Sequence, residues 1–239
     1  MAPPDDRSRP DAEPGRIVVW HAEPVATDPA WEDAYAAFET PEQEIRKFQA
    51  RLRALGIDQL PGETRFVELF CGRGNGLVAL ERLGFHALEG VDLSEALLRR
   101  YEGPATLYAG DCRSLRFPDA SRDVVVVQGG LHHLLRLPDD LRQVLGEVHR
   151  ILVPHGRVVI VEPWLTPFLR VVHAACGVRL LRRLWPKLDA LARMIELERS
   201  TYAAWLAQPG IICELLREYF SVEVQRVGWG KMMFVGRKD

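Results

Sequence analysis

Residues 123–128 read Asp-Val-Val-Val-Val-Gln, four β-branched residues in a row with no polar alternation. Side chains leave an extended chain on alternate sides, so a strand of this kind is apolar on both faces and needs a cover on each. A sheet with one wet face would place a polar residue at every second position. The segment therefore belongs at the centre of a parallel sheet packed between helices. The surrounding chain follows the same plan. Extended stretches at 65–70, 87–91, 105–109 and 157–161 alternate with helical ones at 76–83, 94–101 and 139–152, which predicts a doubly wound α/β fold.

Both flanks depart from that alternation. Trp31, Tyr35 and Phe38 recur at helical spacing, Thr40-Pro41 reads as a cap and first turn, and Ile45, Phe48, Leu52 and Leu55 continue the stripe to Gly56. Residues 29–55 are thus a helical cover. Residues 163–207 are helical throughout, punctuated by Pro167, Gly177 and Pro186, and read as a helical cap inserted above the sheet. After a last helix at 211–220, strands at 222–227 and 231–235 flank Gly228-Trp229-Gly230. That link is too short for a crossover helix, so the sheet should end in an antiparallel hairpin. Residues 1–15, rich in proline and mixed charge, read as a disordered tail, and 16–239 as one domain. Ile17-Val18-Val19-Trp20 is either a short strand or a docked tail.

The formal charge is −2, from 31 Lys+Arg against 33 Asp+Glu, which disfavours a globally basic nucleic-acid binder. Cys71, Cys112, Cys176 and Cys213 are scattered, with no metal-binding or redox spacing, as in a reducing compartment. No run reaches the ~18 apolar residues of a membrane span, and the first residues lack a signal-type apolar core. A cytoplasmic protein is expected.

Three segments carry ligand chemistry. Glu68-Leu69-Phe70-Cys71-Gly72-Arg73-Gly74-Asn75-Gly76 lies at a strand-to-helix turn, where glycines let the backbone approach a ligand. Leu77 stands where a dinucleotide fingerprint needs its third glycine, which weakens an NAD reading. Asp92 ends the second strand twenty residues after Gly72, where a carboxylate accepts from ribose hydroxyls. In Gly110-Asp111-Cys112 a carboxylate and a backbone N–H could read an adenine edge.

Over residues 65–162 these segments, together with Glu147-Val148-His149-Arg150-Ile151-Leu152-Val153-Pro154-His155-Gly156, resemble the class I S-adenosylmethionine-dependent methyltransferases, in the broad branch that includes quinone methyltransferases. Phe70 replaces the first loop glycine of that family, and His155 departs from its Pro-Gly-Gly. The resemblance implies a Rossmann-like, mostly parallel seven-stranded sheet with a C-terminal antiparallel hairpin, and S-adenosyl-L-methionine as cofactor. It further implies that Glu68 faces the cofactor's amino group and that Gly72 and Gly74 allow its close approach. Asp92 would hold the ribose, Leu93 pack on the adenine, Asp111 and Cys112 read its edge, and Gln128 line the methionine portion.

A methyl acceptor would enter at Gln128-Gly129-Gly130-Leu131-His132-His133. His133 is the candidate general base, since an imidazole titrates near neutrality. His132, Glu162, Trp164 and Tyr35 are candidates for acceptor contacts. Adjacent histidines on a helix do not readily share one ion, so no metal site is expected. The cap interleaves Arg170, Arg179, Arg182, Arg183, Lys187, Arg193 and Arg199 with apolar residues. It reads as a lid over a hydrophobic or anionic acceptor, as a peripheral membrane contact, or as a solvated cover. The expected activity is methylation of a small, hydrophobic molecule, at oxygen rather than carbon or nitrogen. The alternative is a cofactor-binding module without turnover. The segment after the fourth core strand lacks the Asn/Asp-Pro-Pro-aromatic pattern of base methylation, so nucleic acid is disfavoured as acceptor.

Overall fold

The computed structural model describes residues 16–20 and 28–239; the tail expected at 1–15 lies outside them. The chain begins with β1 (Ile17–Val19), α1 (Pro29–Phe38) and α2 (Pro41–Ala54). The wound core follows as β2 (Phe66–Leu69), α3 (Asn75–Glu81), β3 (Leu88–Asp92), α4 (Glu95–Leu98), β4 (Thr106–Ala109), β5 (Arg122–Gln128), α5 (Asp139–Ile151) and β6 (Leu152–Pro163). The cap comprises α6 (Pro167–Cys176), α7 (Arg179–Leu184), α8 (Pro186–Leu197) and α9 (Arg199–Ala207), and the chain closes through α10 (Pro209–Tyr219), β7 (Ser221–Gly228) and β8 (Lys231–Arg237).

One sheet holds all these strands in the order β1-β4-β3-β2-β5-β6-β8-β7. Its pairs are parallel except those of β8, which runs antiparallel to both β6 and β7. The valine strand sits between β2 and β6, as its two apolar faces require. Val125 and Val127 join Leu141, Val144 and Leu215 of α5 and α10 in one core. Val124 and Val126 join Leu52 and Leu80 of α2 and α3 in the other. There are eight strands rather than seven, because Ile17–Val19 adds in parallel to β4, Ile17 opposite Leu107. Without it the backbone of β4 would be an unpaired edge.

Local chemistry accounts for the helix starts. Thr40 and Gln43 form a reciprocal capping box on α2, with Pro41 in the first turn. Thr166 caps α6 through the Leu169 N–H, and Ser94 caps α4 through that of Leu97. The cap is tied into the body. α1 packs on α8, and the fully buried Trp205 of α9 joins the α5–α10 core and donates from Nε1 to the Pro163 carbonyl at 2.9 Å. Among the described residues no helix is long and apolar enough to cross a membrane.

Candidate active site

The carboxyl ends of β2, β3, β5 and β6 converge on one edge, where the sequence-derived residues gather. After β2 the backbone turns through positive φ at Phe70 (57°), Gly72 (53°) and Gly74 (78°). A Cβ at Gly74 would lie 2.3 Å from the Tyr101 ring, and one at Gly130 would lie 2.3 Å from Phe70. Phe70, in place of a glycine, thus fills the gap between this loop and the one after β5. Asp92 closes β3 by accepting from the Gly72 N–H at 2.9 Å and the Ser94 N–H at 2.8 Å. Burial raises its pKa, and those two donors oppose the shift.

Glu68 is buried against the start of α3, where a Cβ on Gly76 would fall 1.8 Å from its Oε1. Its Oε2 has no hydrogen-bond partner among the described residues, and burial drives its pKa well up. Asp111 turns to its own neighbour, accepting from the backbone N–H, Nε and Nη2 of Arg113, which also reaches Asp140. Cys112 is buried, and Leu93 stands at the surface. At the end of β5 both polar atoms of the Gln128 amide are buried with no partner among the described residues. Leaving such a group unpaired costs about 1–3 kcal/mol, which marks it as half of an interaction.

The segment after β5 is a glycine turn followed by a single 3-10 turn, Leu131–His133. Glu162, fully buried at the end of β6, organises it. Its Oε1 accepts from the N–H groups of Gly130 (2.8 Å) and Leu131 (2.7 Å), and its Oε2 lies 2.8 Å from His132 Nδ1. Glu198, at the joint of α8 and α9, comes down from the cap onto both rings, 3.2 Å from His133 Nδ1 and 3.8 Å from His132 Nε2. Burial disfavours a charged His132, but Glu162 and Glu198 outweigh it and raise the pKa to about 9. Burial, with the adjacent His132 adding to it, pushes His133 down to about 4. Burial also opposes ionisation of Glu162, yet His132 and the two backbone donors hold its pKa low.

The other wall comes from the N-terminal cover. Trp31 stacks on Tyr35 at 5.0 Å and meets His133 edge-on at 6.1 Å. The Tyr35 hydroxyl bonds Glu44, and Arg73 lies over the Tyr35 ring. Lys231, opposite Pro163 in the β6–β8 register, is lowered to about 8 by burial, with Arg51 adding to the shift.

The sequence-derived residues thus divide. His132, His133 and Glu162 meet in one array, and Gly72, Asp92 and Gln128 stand at or just after the ends of β2, β3 and β5 in the same sheet. Trp164 lies instead against the core that holds Trp205, its backbone N–H on the Gly230 carbonyl. The carboxylate of Glu162, expected to touch acceptor, is taken up by three protein groups. Sequence reasoning missed Glu198 and the contact of Trp31 with His133, because nothing local ties residue 198 to a histidine pair 65 positions earlier.

The family model described as a methyltransferase domain matches residues 67–160. The demethylmenaquinone methyltransferase of Streptomyces avermitilis is 30% identical over 189 residues, which cover 75% of this chain and 73% of that protein. The chain belongs to the class I S-adenosylmethionine-dependent methyltransferases. Another relative of this methyltransferase, the ubiquinone/menaquinone biosynthesis C-methyltransferase of Citrifermentans bemidjiense, is 25% identical over 202 residues, covering 75% and 80% of the two chains. A solved Pyrococcus horikoshii protein shares the fold, with a TM-score of 0.65 at 21% identity over 89% of this chain and all of the other. The NAD and binding-only alternatives give way to a methyltransferase whose cofactor is S-adenosylmethionine. Its residues suit that group: a glycine loop turning through positive φ at Gly72 and Gly74, a carboxylate ending β3, and an unpaired buried amide at the end of β5.

Proposed function

We propose that this methyltransferase acts on a small, largely hydrophobic hydroxyarene of the quinol type, at a hydroxyl oxygen, with His133 taking the hydroxyl proton. The observation that carries the reading is the array Glu162–His132–Glu198–His133 beside the unpaired Gln128 amide. The bound sulfonium supplies an activated methyl group, so the protein has to align the acceptor, exclude water and manage one proton. A charged His132 between two carboxylates stays protonated, while His133, lowered to about 4 rather than titrating near neutrality as the sequence suggests, stays neutral and is a weak base that Glu198 strengthens. Glu198 at Nδ1 favours the tautomer that leaves the His133 Nε2 lone pair for a substrate proton. Trp31 and Tyr35 provide an aromatic wall beside His133.

On the cofactor side, Gly72 and Gly74 would admit the methionine end, Asp92 the ribose hydroxyls, and Leu93 the adenine face. Asp111, whose carboxylate already accepts from Arg113, would also accept from the adenine amino group, beside the Cys112 N–H, and Gln128 would pair with the methionine portion. Asp92→Ala strands the ribose hydroxyls, and we expect S-adenosylhomocysteine to bind about ten- to a hundredfold more weakly, roughly 1.5–3 kcal/mol. Calorimetry showing unchanged affinity would remove the assignment.

The ligand atoms of His132, His133 and Glu198 all lie within 4.8 Å of one another. A protonated His132 already supplies the positive charge between the two carboxylates, so turnover should survive dialysis against EDTA. A loss restored by added Mg²⁺ or Zn²⁺ would replace the base with a metal.

The Citrifermentans bemidjiense relative, a C-methyltransferase, favours a second reading, transfer to carbon. Removing a quinol proton enriches ring carbon as well as oxygen, so one base serves both outcomes. Incubation with S-adenosylmethionine and a panel of naphthoquinols and phenols, with products resolved by mass spectrometry and ¹³C NMR, tests both. An O–CH3 signal supports the proposal and a C–CH3 signal the second reading. Cofactor binding without turnover of any hydroxyarene would reject both.

A further inference from the structure

Exposed apolar side chains are concentrated on the cap. No residue of α7 is buried. Leu180 and Leu184, one turn apart, are 64% and 70% exposed, and Trp185 follows at 62%. Val171 and Phe168, three apart on α6, are also exposed, and Phe168 meets the Trp229 ring of the C-terminal hairpin edge-on at 5.4 Å. A soluble surface rarely gathers large apolar groups this densely without something to cover them.

Charge identifies the cover. Between residues 163 and 207 there are seven Lys or Arg against three Asp or Glu, in a chain whose formal charge is −2. The acidic groups are already engaged. Asp189 pairs with Arg182 and Arg193, Glu196 with Arg182, and Glu198 with the histidines. Arg170, Arg179 and Arg183 are exposed and form no ion pair among the described residues. Arg179 and Arg183 repeat the one-turn spacing of Leu180 and Leu184, so α7 carries adjacent basic and apolar stripes. An apolar stripe beside unpaired guanidiniums matches the acyl boundary and the phosphates of an anionic bilayer.

We propose that the α6–α7 face of the cap docks reversibly on an anionic lipid surface, with Leu180, Leu184 and Trp185 entering the headgroup–acyl boundary and Arg179 and Arg183 on phosphates. The docking needs neither cofactor nor acceptor, and so stands apart from the reading of the active site. It would place the cap, and with it Glu198, at the border between the site and a lipid phase.

Cosedimentation of the full chain with phosphatidylcholine vesicles, with and without roughly a third phosphatidylglycerol, tests the proposal. The expected result is binding to the anionic vesicles that weakens as salt is raised and is at least about tenfold weaker on neutral ones. The double variant Leu180→Glu/Leu184→Glu changes only exposed positions. It should lose vesicle binding while keeping its circular dichroism and its affinity for S-adenosylhomocysteine. Arg179→Glu/Arg183→Glu should lose the preference for anionic lipid. Absence of binding by the parent, or parental binding by the leucine variant, overturns the proposal. A dimer in sedimentation equilibrium that the leucine substitutions dissociate, without vesicle binding by the parent, would assign the face to a second copy of the chain instead.

Discussion

Glu162→Ala is expected to destabilise the fold by about 3–5 kcal/mol, the cost of removing one partner from a buried, hydrogen-bonded ion pair. Three groups lose their acceptor at once: the N–H donors of Gly130 and Leu131, and His132 Nδ1. None of them gains access to bulk water, because Glu162 and the 3-10 turn sit under the cap beside Trp205 and β8. Glu162→Gln retains a carbonyl oxygen for the two backbone donors and should cost less, while loosening its hold on the imidazolium. Urea unfolding of the three proteins measures this. A loss below about 1 kcal/mol for the alanine variant would mean that the turn is held by its glycine geometry rather than by the carboxylate.

The second large effect concerns turnover. His133→Ala should lower kcat by about 10²–10⁴-fold, the range for a positioned base, with S-adenosylhomocysteine affinity nearly unchanged. The separation is expected because Gly72, Asp92 and Asp111 stand at or after the ends of other strands, and Gln128 lies ahead of the turn that carries His133. Single-turnover kinetics under saturating cofactor gives the comparison. A drop of less than about fivefold in a folded variant would assign the rate to alignment alone, and His133 would become a packing partner of Trp31.

The parts of this arrangement legible in the sequence are those written in short range. The four valines from Val124 to Val127 announce a central parallel strand because their pattern has one physical solution. The glycine loop, Asp92 and Asp111 lie at the ends of strands, where wound sheets present ligands, so topology alone gathers them. Ile17–Val19 could be named as a strand but not assigned a partner, since three apolar residues fit many registers. Glu198 was invisible for another reason. In the sequence it is one of the acidic residues balancing a basic helical segment, and only the packing of α9 on the Leu131–His133 turn, pinned by Trp205, turns it toward the histidines. The burial of Trp205 likewise makes the cap part of the core: excising residues 163–207 would open the core between α5 and α10 as well as the site.

The order of the last strands bears on how the molecule is made. β8 is inserted between β6 and β7, so the later strand of the hairpin lies inside the sheet and the earlier one outside. While a ribosome is still extending the chain through residue 230, the β6 edge that carries Glu162 has no neighbour on that side. Phe234 and Met232, which complete the core beneath it, do not yet exist. The wound half, β1 to β6, can pair in advance, but the acceptor side must wait for residues 231–237 to thread between two strands already present. A nascent chain would therefore acquire its cofactor edge before its acceptor edge, and pass through a stage with one open strand exposed to the pairing that chaperones suppress.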